Sequence, residues 1–88
     1  MEFDAIDWDD EHFDRGNTRH ILSAGITPEE FEEALDSIPR SQIIRSRTSG
    51  NLTAIGTTRA GRELRLVLQI EVADGFLVVR PVTAFDAE

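Results

Sequence analysis

The segment from Gly25 to Leu35 constrains the fold most, because it carries the signals that start a helix. Thr27 is a favourable N-cap whose hydroxyl accepts from the backbone N–H of Glu30, while the Glu30 carboxylate accepts from Thr27. Pro28 stands at the first helical position, where its missing N–H costs nothing. The following apolar residues recur at the spacing of one buried stripe, namely Phe31, Ala34, Leu35 and Ile38. The sequence therefore predicts a helix over residues 28–37 that packs this stripe against an apolar sheet face.

Strand patterns dominate the second half of the chain. Polar and apolar residues alternate over 64–72, so that one strand face is apolar and consists of Leu64, Leu66, Leu68, Ile70 and Val72. Asp74-Gly75 predicts a tight turn into a last strand over 76–84, in which Pro81 indicates an edge position or a bulge. Other strands are predicted over 3–8, 41–47 and 52–57, and a short helix over 17–24. This order predicts a single α+β domain over residues 1–88, with a short N-terminal strand, two to three helices and a three- to four-stranded antiparallel meander.

Composition excludes several classes of function. The 88 residues contain no cysteine, which excludes disulfides, thiolate nucleophiles and zinc–cysteine sites. No apolar run approaches the roughly 18 residues of a membrane span, and the acidic start lacks the apolar core of a secretory signal. His12 and His20 have no third ligand at metal spacing, and no glycine-rich phosphate loop is present. We therefore expect a cytoplasmic protein with no membrane contact, no metal and no cofactor.

The net charge of −8 is unevenly distributed. Residues 1–14 hold seven acids and no Lys or Arg, whereas residues 40–65 hold six arginines and one glutamate. All nine basic residues are arginine, never lysine. Genomic composition bias explains this usage, and so does selection for bidentate binding of phosphate or carboxylate. The acidic balance argues against nonspecific binding to nucleic acid.

Four short motifs give the chain a resemblance to a known family. They are Trp8-Asp9, the segment 25–30 before the central helix, the segment 54–57 followed by Ala60-Gly61-Arg62, and the segment 79–84. In order and spacing these resemble the BrnT-type ribonuclease toxins of bacterial type II toxin–antitoxin systems. The resemblance implies a RelE-like α+β fold, metal-independent endoribonuclease activity and a cognate antitoxin that covers the active face.

The same resemblance identifies candidate site residues. His20 and Arg80 are the side chains at family-matching positions that suit catalysis, as general base or acid and as a cation for the phosphate. The family's other basic or titratable side chains are replaced here by neutral residues, namely Ser23, Ala24, Asn51 and Phe85. The resemblance therefore implies an RNA-directed toxin-like protein whose ribonuclease activity is weak or lost. The alternative is a non-catalytic protein-binding module on the same fold.

Each candidate also has a structural interpretation. For His20 it is a helix cap or a packing residue, and for Arg80 it is an ion pair with an acidic neighbour. The arginines that we predict to bind RNA or a partner are Arg45, Arg47, Arg59, Arg62 and Arg65. By spacing, Arg45 and Arg47 share one face of the predicted strand 41–47, and we expect a partner to dock there. The competing expectation is that Asp9, Asp10 and Glu11 fold over the arginines and neutralise them.

Overall fold

A five-stranded mixed sheet with two α-helices on one face forms the fold. The computed structural model describes residues 1–87. Its elements, in chain order, are β1 (Ala5–Ile6), α1 (Asn17–Ser23), α2 (Pro28–Asp36), a 3-10 turn (Arg40–Gln42), β2 (Ile44–Arg45), β3 (Leu52–Thr57), β4 (Glu63–Ala73) and β5 (Phe76–Asp86). The strand order is β1-β5-β4-β3-β2, with β2 to β5 antiparallel and β1 parallel to β5. The predicted α+β class is confirmed.

The central helix α2 begins as predicted. The Thr27 hydroxyl accepts from the Glu30 N–H at 3.1 Å, and the Glu30 carboxylate accepts from the Thr27 N–H at 3.0 Å. Ser37 caps the other end, so α2 is one residue shorter than predicted. Its nine residues make it the longest helix in residues 1–87, where no helix has the length and hydrophobicity needed to cross a bilayer.

The hydrophobic core lies between α2 and the sheet. Phe31, Ala34 and Leu35 are fully buried and belong to one cluster with the inner side chains of β4, which are Leu64, Leu66 and Leu68. Trp8 packs edge-on against Phe31, with ring centroids 5.3 Å apart. The predicted match between helix stripe and strand face is thus confirmed, and Ile70 packs against the rim of the cluster.

A glycine lets α2 approach β3 closely. A Cβ built on Gly56 would overlap the Ala34 carbonyl group, with its carbon 2.7 Å away. The contact is reinforced on the next residue, because the Thr57 N–H donates to the Ser37 hydroxyl at 2.8 Å. Only a residue without a side chain fits at position 56.

The long hairpin of β4 and β5 follows its predicted turn chemistry. Asp74 and Gly75 both have positive φ, 51° and 82°, as a two-residue hairpin turn of type I′ requires. Val67 pairs with Thr83 and Leu68 with Pro81, so β5 holds one extra residue, Val82. This is the bulge that Pro81 indicated.

The predicted strand over 41–47 is wrong in length. Only Ile44 and Arg45 pair with β3. Pro39 leads into the 3-10 turn Arg40–Gln42, and a turn closed by the Ser46 and Gly50 backbones follows the strand. Arg47 lies in that turn, so Arg45 and Arg47 do not share a strand face.

Candidate functional site

A cleft beside β5 brings together the two catalytic candidates. It has a volume of about 390 Å³ and lies between the start of α1 and the strands β4 and β5. His20 of α1 and Arg80 of β5 both line it, with Gln69 of β4 and Thr83 on the same wall. Arg15, which the sequence did not single out, also lines the cleft. The cleft therefore combines two guanidinium groups and one imidazole.

Asp9 holds the Arg80 guanidinium in place. Two nitrogens of Arg80 donate to the two carboxylate oxygens of Asp9, at 3.0 and 2.9 Å. The Asp7 carboxylate lies 3.4 Å from the same group. The hydrogen bond with Arg80 is the main reason that the pKa of Asp9 is lowered, and the bond with Asp9 likewise raises the pKa of Arg80. Arg80 thus forms the internal ion pair that its structural interpretation predicted.

Asp9 also starts α1. Its carboxylate accepts from the Asn17 N–H at 2.8 Å, and its own N–H donates to the Asn17 side-chain oxygen at 2.8 Å. The Asn17 amide group, which is buried, donates to the backbone oxygens of Asp7 and Pro81. A Cβ on Gly16 would lie 2.7 Å from the Asp9 Cβ, which leaves no room for a side chain there. One carboxylate therefore joins the N-terminal segment, α1 and β5, and we call the group Asp9, Asn17 and Arg80 the polar hub.

His20 lies on the exposed side of α1. Its backbone carbonyl accepts from the Ser23 hydroxyl at 2.8 Å, and its N–H donates to Gly16. Within residues 1–87 no hydrogen bond involves the imidazole, and the side chain is exposed rather than packed under the helices. The imidazole is therefore accessible from the cleft.

Arg62 forms a second internal clamp. Its guanidinium binds Asp86 through two bonds of 2.8 and 3.2 Å, Glu30 at 3.2 Å and the Gly25 carbonyl at 2.9 Å. These bonds lower the pKa of Asp86, while the backbone N–H of Thr27 is the main cause of the lowered pKa of Glu30. Arg62 thus fastens the start of α2 to the end of β5, and its charge is offset internally.

Among the remaining candidate arginines, Arg65 shares a sheet face with Arg80 and the others do not. Arg45 pairs with Leu52 in the register, which places it on the helix side of the sheet, and it donates to the Gly50 carbonyl at 2.7 Å. Arg65 lies on the opposite face of β4, where its strongest polar contact is the Thr53 hydroxyl at 3.4 Å. Arg47 and Arg59 lie in turns at opposite ends of β3. The predicted sheet face bearing Arg45 and Arg47 therefore does not exist.

Internal neutralisation is limited to two arginines. Within residues 1–87 only Arg62 and Arg80 lie within salt-bridge distance of a carboxylate. Of the three acids expected to cover the arginines, Asp9 does so, whereas Glu11 contacts only His12, at 3.9 Å, and Asp10 accepts from the His12 backbone. The basic charge is dispersed over several surfaces rather than concentrated or cancelled.

The cleft is chemically suited to an oxyanion. Guanidinium groups bind phosphate and carboxylate oxygens, and an exposed imidazole transfers protons near neutral pH. Asp9 reduces the positive charge, because it lines the cleft with Arg80. Across residues 1–87 no three His, Asp or Glu side chains converge as metal ligands.

Comparisons with protein-family models, with curated proteins and with solved structures find no match to this chain. The resemblance to the BrnT-type toxins therefore stays a prediction that depends on its motifs. The cleft itself is the observation on which a functional proposal can be built.

The polar hub predicts an acid-sensitive contribution to stability. The folded state lowers the pKa of Asp9 below its usual 3.8, so the unfolded chain binds the proton more tightly. The hub therefore stabilises the fold fully above the pKa that Asp9 has in the unfolded chain. This stabilisation is lost as the pH falls through the lower pKa of the folded state. Asp9→Asn should lower the urea midpoint at neutral pH. As the pH falls toward about 3, the midpoint of this variant should decrease less than that of the wild type. Urea titrations monitored by circular dichroism at several pH values measure both effects.

The matched control for this prediction is Asp14→Asn, which removes one exposed carboxylate near the same segment. Its urea midpoint should follow the acid dependence of the wild type. If Asp9→Asn also follows the wild-type curve, the ion pair does not stabilise the fold.

Proposed function

We propose that this chain is a divergent, RNA-directed, toxin-like component of a type II toxin–antitoxin system, with a RelE-like fold and with weak or lost endoribonuclease activity. The observation that carries the proposal is the cleft lined by His20 and Arg80 together with Arg15. The first two were identified through the family resemblance, and they line one cavity although they are far apart in the chain. The partners that follow from this proposal are RNA and a cognate antitoxin.

The chemistry assigns a role to each side chain. Metal-independent cleavage of RNA needs a base near the 2′-hydroxyl, cations around the phosphate and an acid for the leaving oxygen. The His20 imidazole is the side chain of the cleft that suits the role of general base or acid. Arg15 and Arg80 supply positive charge where a phosphate would lie.

Two observations support weak rather than efficient catalysis. Both carboxylate oxygens of Asp9 are bonded to Arg80, which offsets the charge of the guanidinium. The positions that the resemblance associates with further basic groups hold neutral side chains, of which Ser23 and Ala24 are exposed and Asn51 accepts from Gln69 at 2.9 Å. Loss of a single preorganised donor costs about 10²–10³ in rate.

The test is a cleavage and binding assay with purified protein and a single-stranded RNA. We expect slow or undetectable cleavage, and RNA binding that weakens by about tenfold in Arg15→Ala and His20→Ala. Arg19→Ala is the matched control, since Arg19 is an exposed arginine of α1 outside the cleft. Arg80→Ala is less informative because it also breaks the polar hub.

The outcomes separate the parts of the proposal. Rapid cleavage that His20→Ala abolishes would contradict the weak activity but retain the RNA-directed role. If the wild type binds RNA as tightly as Arg15→Ala and Arg19→Ala do, the cleft does not take part in RNA recognition. Absence of both binding and cleavage would exclude the RNA-directed role.

The second candidate function is a non-catalytic protein-binding module, which the Asp9–Arg80 pair favours. A side chain already bonded to two carboxylates is a structural element rather than a free phosphate ligand. Co-expression with the product of a neighbouring small reading frame tests this. A stoichiometric complex, formed by a protein that binds no RNA, would support the module; binding of RNA without such a complex would exclude it.

A further inference from the structure

One face of the sheet is left uncovered by the helices. Both helices pack on the inner face, so we call the other side of β2 to β5 the outer face. Large apolar side chains are exposed there, with Ile44 at 61%, Ile55 at 43% and Phe85 at 47% of full exposure. Val67 lies beside them and Val78 lies farther along the same face, and both are half-buried. Apolar surface of this kind marks an interaction site.

The register orders the charges of the outer face into two rows. Arg65 stands between Ile55 on β3 and Phe85 on β5, directly opposite both. Six residues farther along β4, Glu71 stands opposite Val78, which places the two rows about 20 Å apart. Within residues 1–87 neither Arg65 nor Glu71 has an ion-pair partner. On its outer face, and among the residues that the structure describes, β4 thus carries three unpaired charges at defined positions, which are Glu63, Arg65 and Glu71.

We propose that the outer face binds a second copy of this chain, with the two β4 strands antiparallel across the interface. The two-fold axis lies between the two sheets, parallel to their planes and perpendicular to the strands, and it passes between Val67 and Gln69. This axis places Arg65 opposite Glu71 of the partner subunit. The same operation places Phe85 opposite Val78 of the partner subunit. Such an isologous interface repeats each contact twice. Two sheets packed face to face, about 10 Å apart, then bury the apolar side chains that are exposed in the monomer.

The mixed charge of the outer face favours a second copy over RNA. The charged side chains that β4 places there are Glu63, Arg65 and Glu71, which sum to −1. A polyanion would meet these two carboxylates, Arg65, and Arg80 of β5, whose charge is already offset by Asp9. A copy of the same face, turned through the two-fold axis, pairs Arg65 with Glu71 of the partner subunit and leaves Glu63 opposite Ala73 of the partner subunit. Self-association therefore pairs Arg65 with a carboxylate of the partner subunit, whereas an acidic partner would also meet Glu63 and Glu71.

The cleft of the proposed function and the outer face share one wall, but the dimer does not depend on ribonuclease activity or on an antitoxin. Gln69, Arg80 and Thr83 belong to both, since they line the cleft and the register places them on the outer face. Loss of RNA binding in the cleft variants would leave the dimer unchanged.

Charge reversal tests the dimer. Sedimentation velocity over a wide range of concentration should show a reversible dimer for the wild type. Arg65→Glu and Glu71→Arg should each weaken dimerisation about 100-fold, because each places like charges opposite one another twice. The double variant Arg65→Glu/Glu71→Arg exchanges the charges and should restore the wild-type affinity.

Control variants distinguish an effect at the interface from a general effect of charge or of misfolding. Arg47→Glu makes the same charge change in an exposed turn away from the outer face and should leave the dimer intact. Phe85→Ser removes apolar surface without a charge change and should weaken the dimer. Circular dichroism confirms that each variant is folded.

Three results would overturn the proposal. A wild type that is monomeric at every concentration excludes the interface. A double variant that fails to recover dimerisation excludes the Arg65–Glu71 pairing. A dimer that none of the outer-face variants weakens must form through another surface.

Discussion

Gly56→Ala is expected to lower the free energy of unfolding by at least about 3 kcal/mol. The added Cβ would overlap the Ala34 carbonyl oxygen and would lie 2.7 Å from its carbon and 2.9 Å from the Ile38 Cδ1. The methyl group of Ile38 can rotate away, but a backbone carbonyl inside a helix cannot. The substitution therefore pushes α2 away from β3 and opens the core along its length. Urea unfolding monitored by circular dichroism measures the loss.

The control for Gly56→Ala is Gly75→Ala in the hairpin turn. A Cβ there has nothing within 4 Å, so the cost is limited to the positive φ of 82° and amounts to about 1 kcal/mol. A loss at Gly56 no larger than the loss at Gly75 would show that α2 moves away from β3 without cost.

Phe31→Ala should cost about 3–5 kcal/mol. Phe31 is fully buried, contacts the edge of the single tryptophan and lies at the centre of the core cluster. Its removal loses the transfer free energy of a phenyl ring and leaves a cavity. For a chain of this length the total stability is expected to be about 4–13 kcal/mol, so the variant approaches the unfolding threshold. Chemical denaturation followed by far-ultraviolet circular dichroism measures the change.

Phe76→Ala is the matched control for Phe31→Ala. Phe76 has the same side chain but is 60% exposed beside the hairpin turn. Its truncation should cost less than about 1 kcal/mol. A cost below 1 kcal/mol for Phe31→Ala as well would mean that the core does not depend on this ring.

Local signals predicted the elements that depend on neighbouring residues. The capping box at Thr27 and Glu30, the hairpin turn at Asp74 and Gly75, and the alternation along β4 each involve groups within a few residues. Their geometry follows from backbone chemistry and side-chain period. The bulge beside Pro81 was predictable for the same reason.

The long-range polar pairs could not be predicted from the sequence. Arg80 was expected to find an acidic neighbour, but seventeen acids compete for nine arginines, and the choice of Asp9 follows from how β1 lies beside β5. The importance of Asn17 was missed for the same reason, although a polar residue directly after Gly16 at a helix start was a usable signal. The strand over 41–47 failed because its apolar pattern did not account for the turns at both of its ends. The cleft required the fold, since His20 and Arg80 meet only through it.

The parallel pairing of β1 with β5 has a consequence for the order of folding. The Leu77 N–H donates to the Asp4 carboxylate across a separation of 73 residues, and Asp7 and Asp9 bind Arg80 over similar distances in sequence. Contacts of such high sequence separation carry a large loop-closure entropy and slow the rate-limiting step. During synthesis, residues 1–9 leave the ribosome long before the strand that they join. The Asp9–Arg80 pair and the pairing of β1 with β5 therefore form only after β5 emerges, whereas the bonds of Asp9 to the start of α1 join residues that are close in sequence.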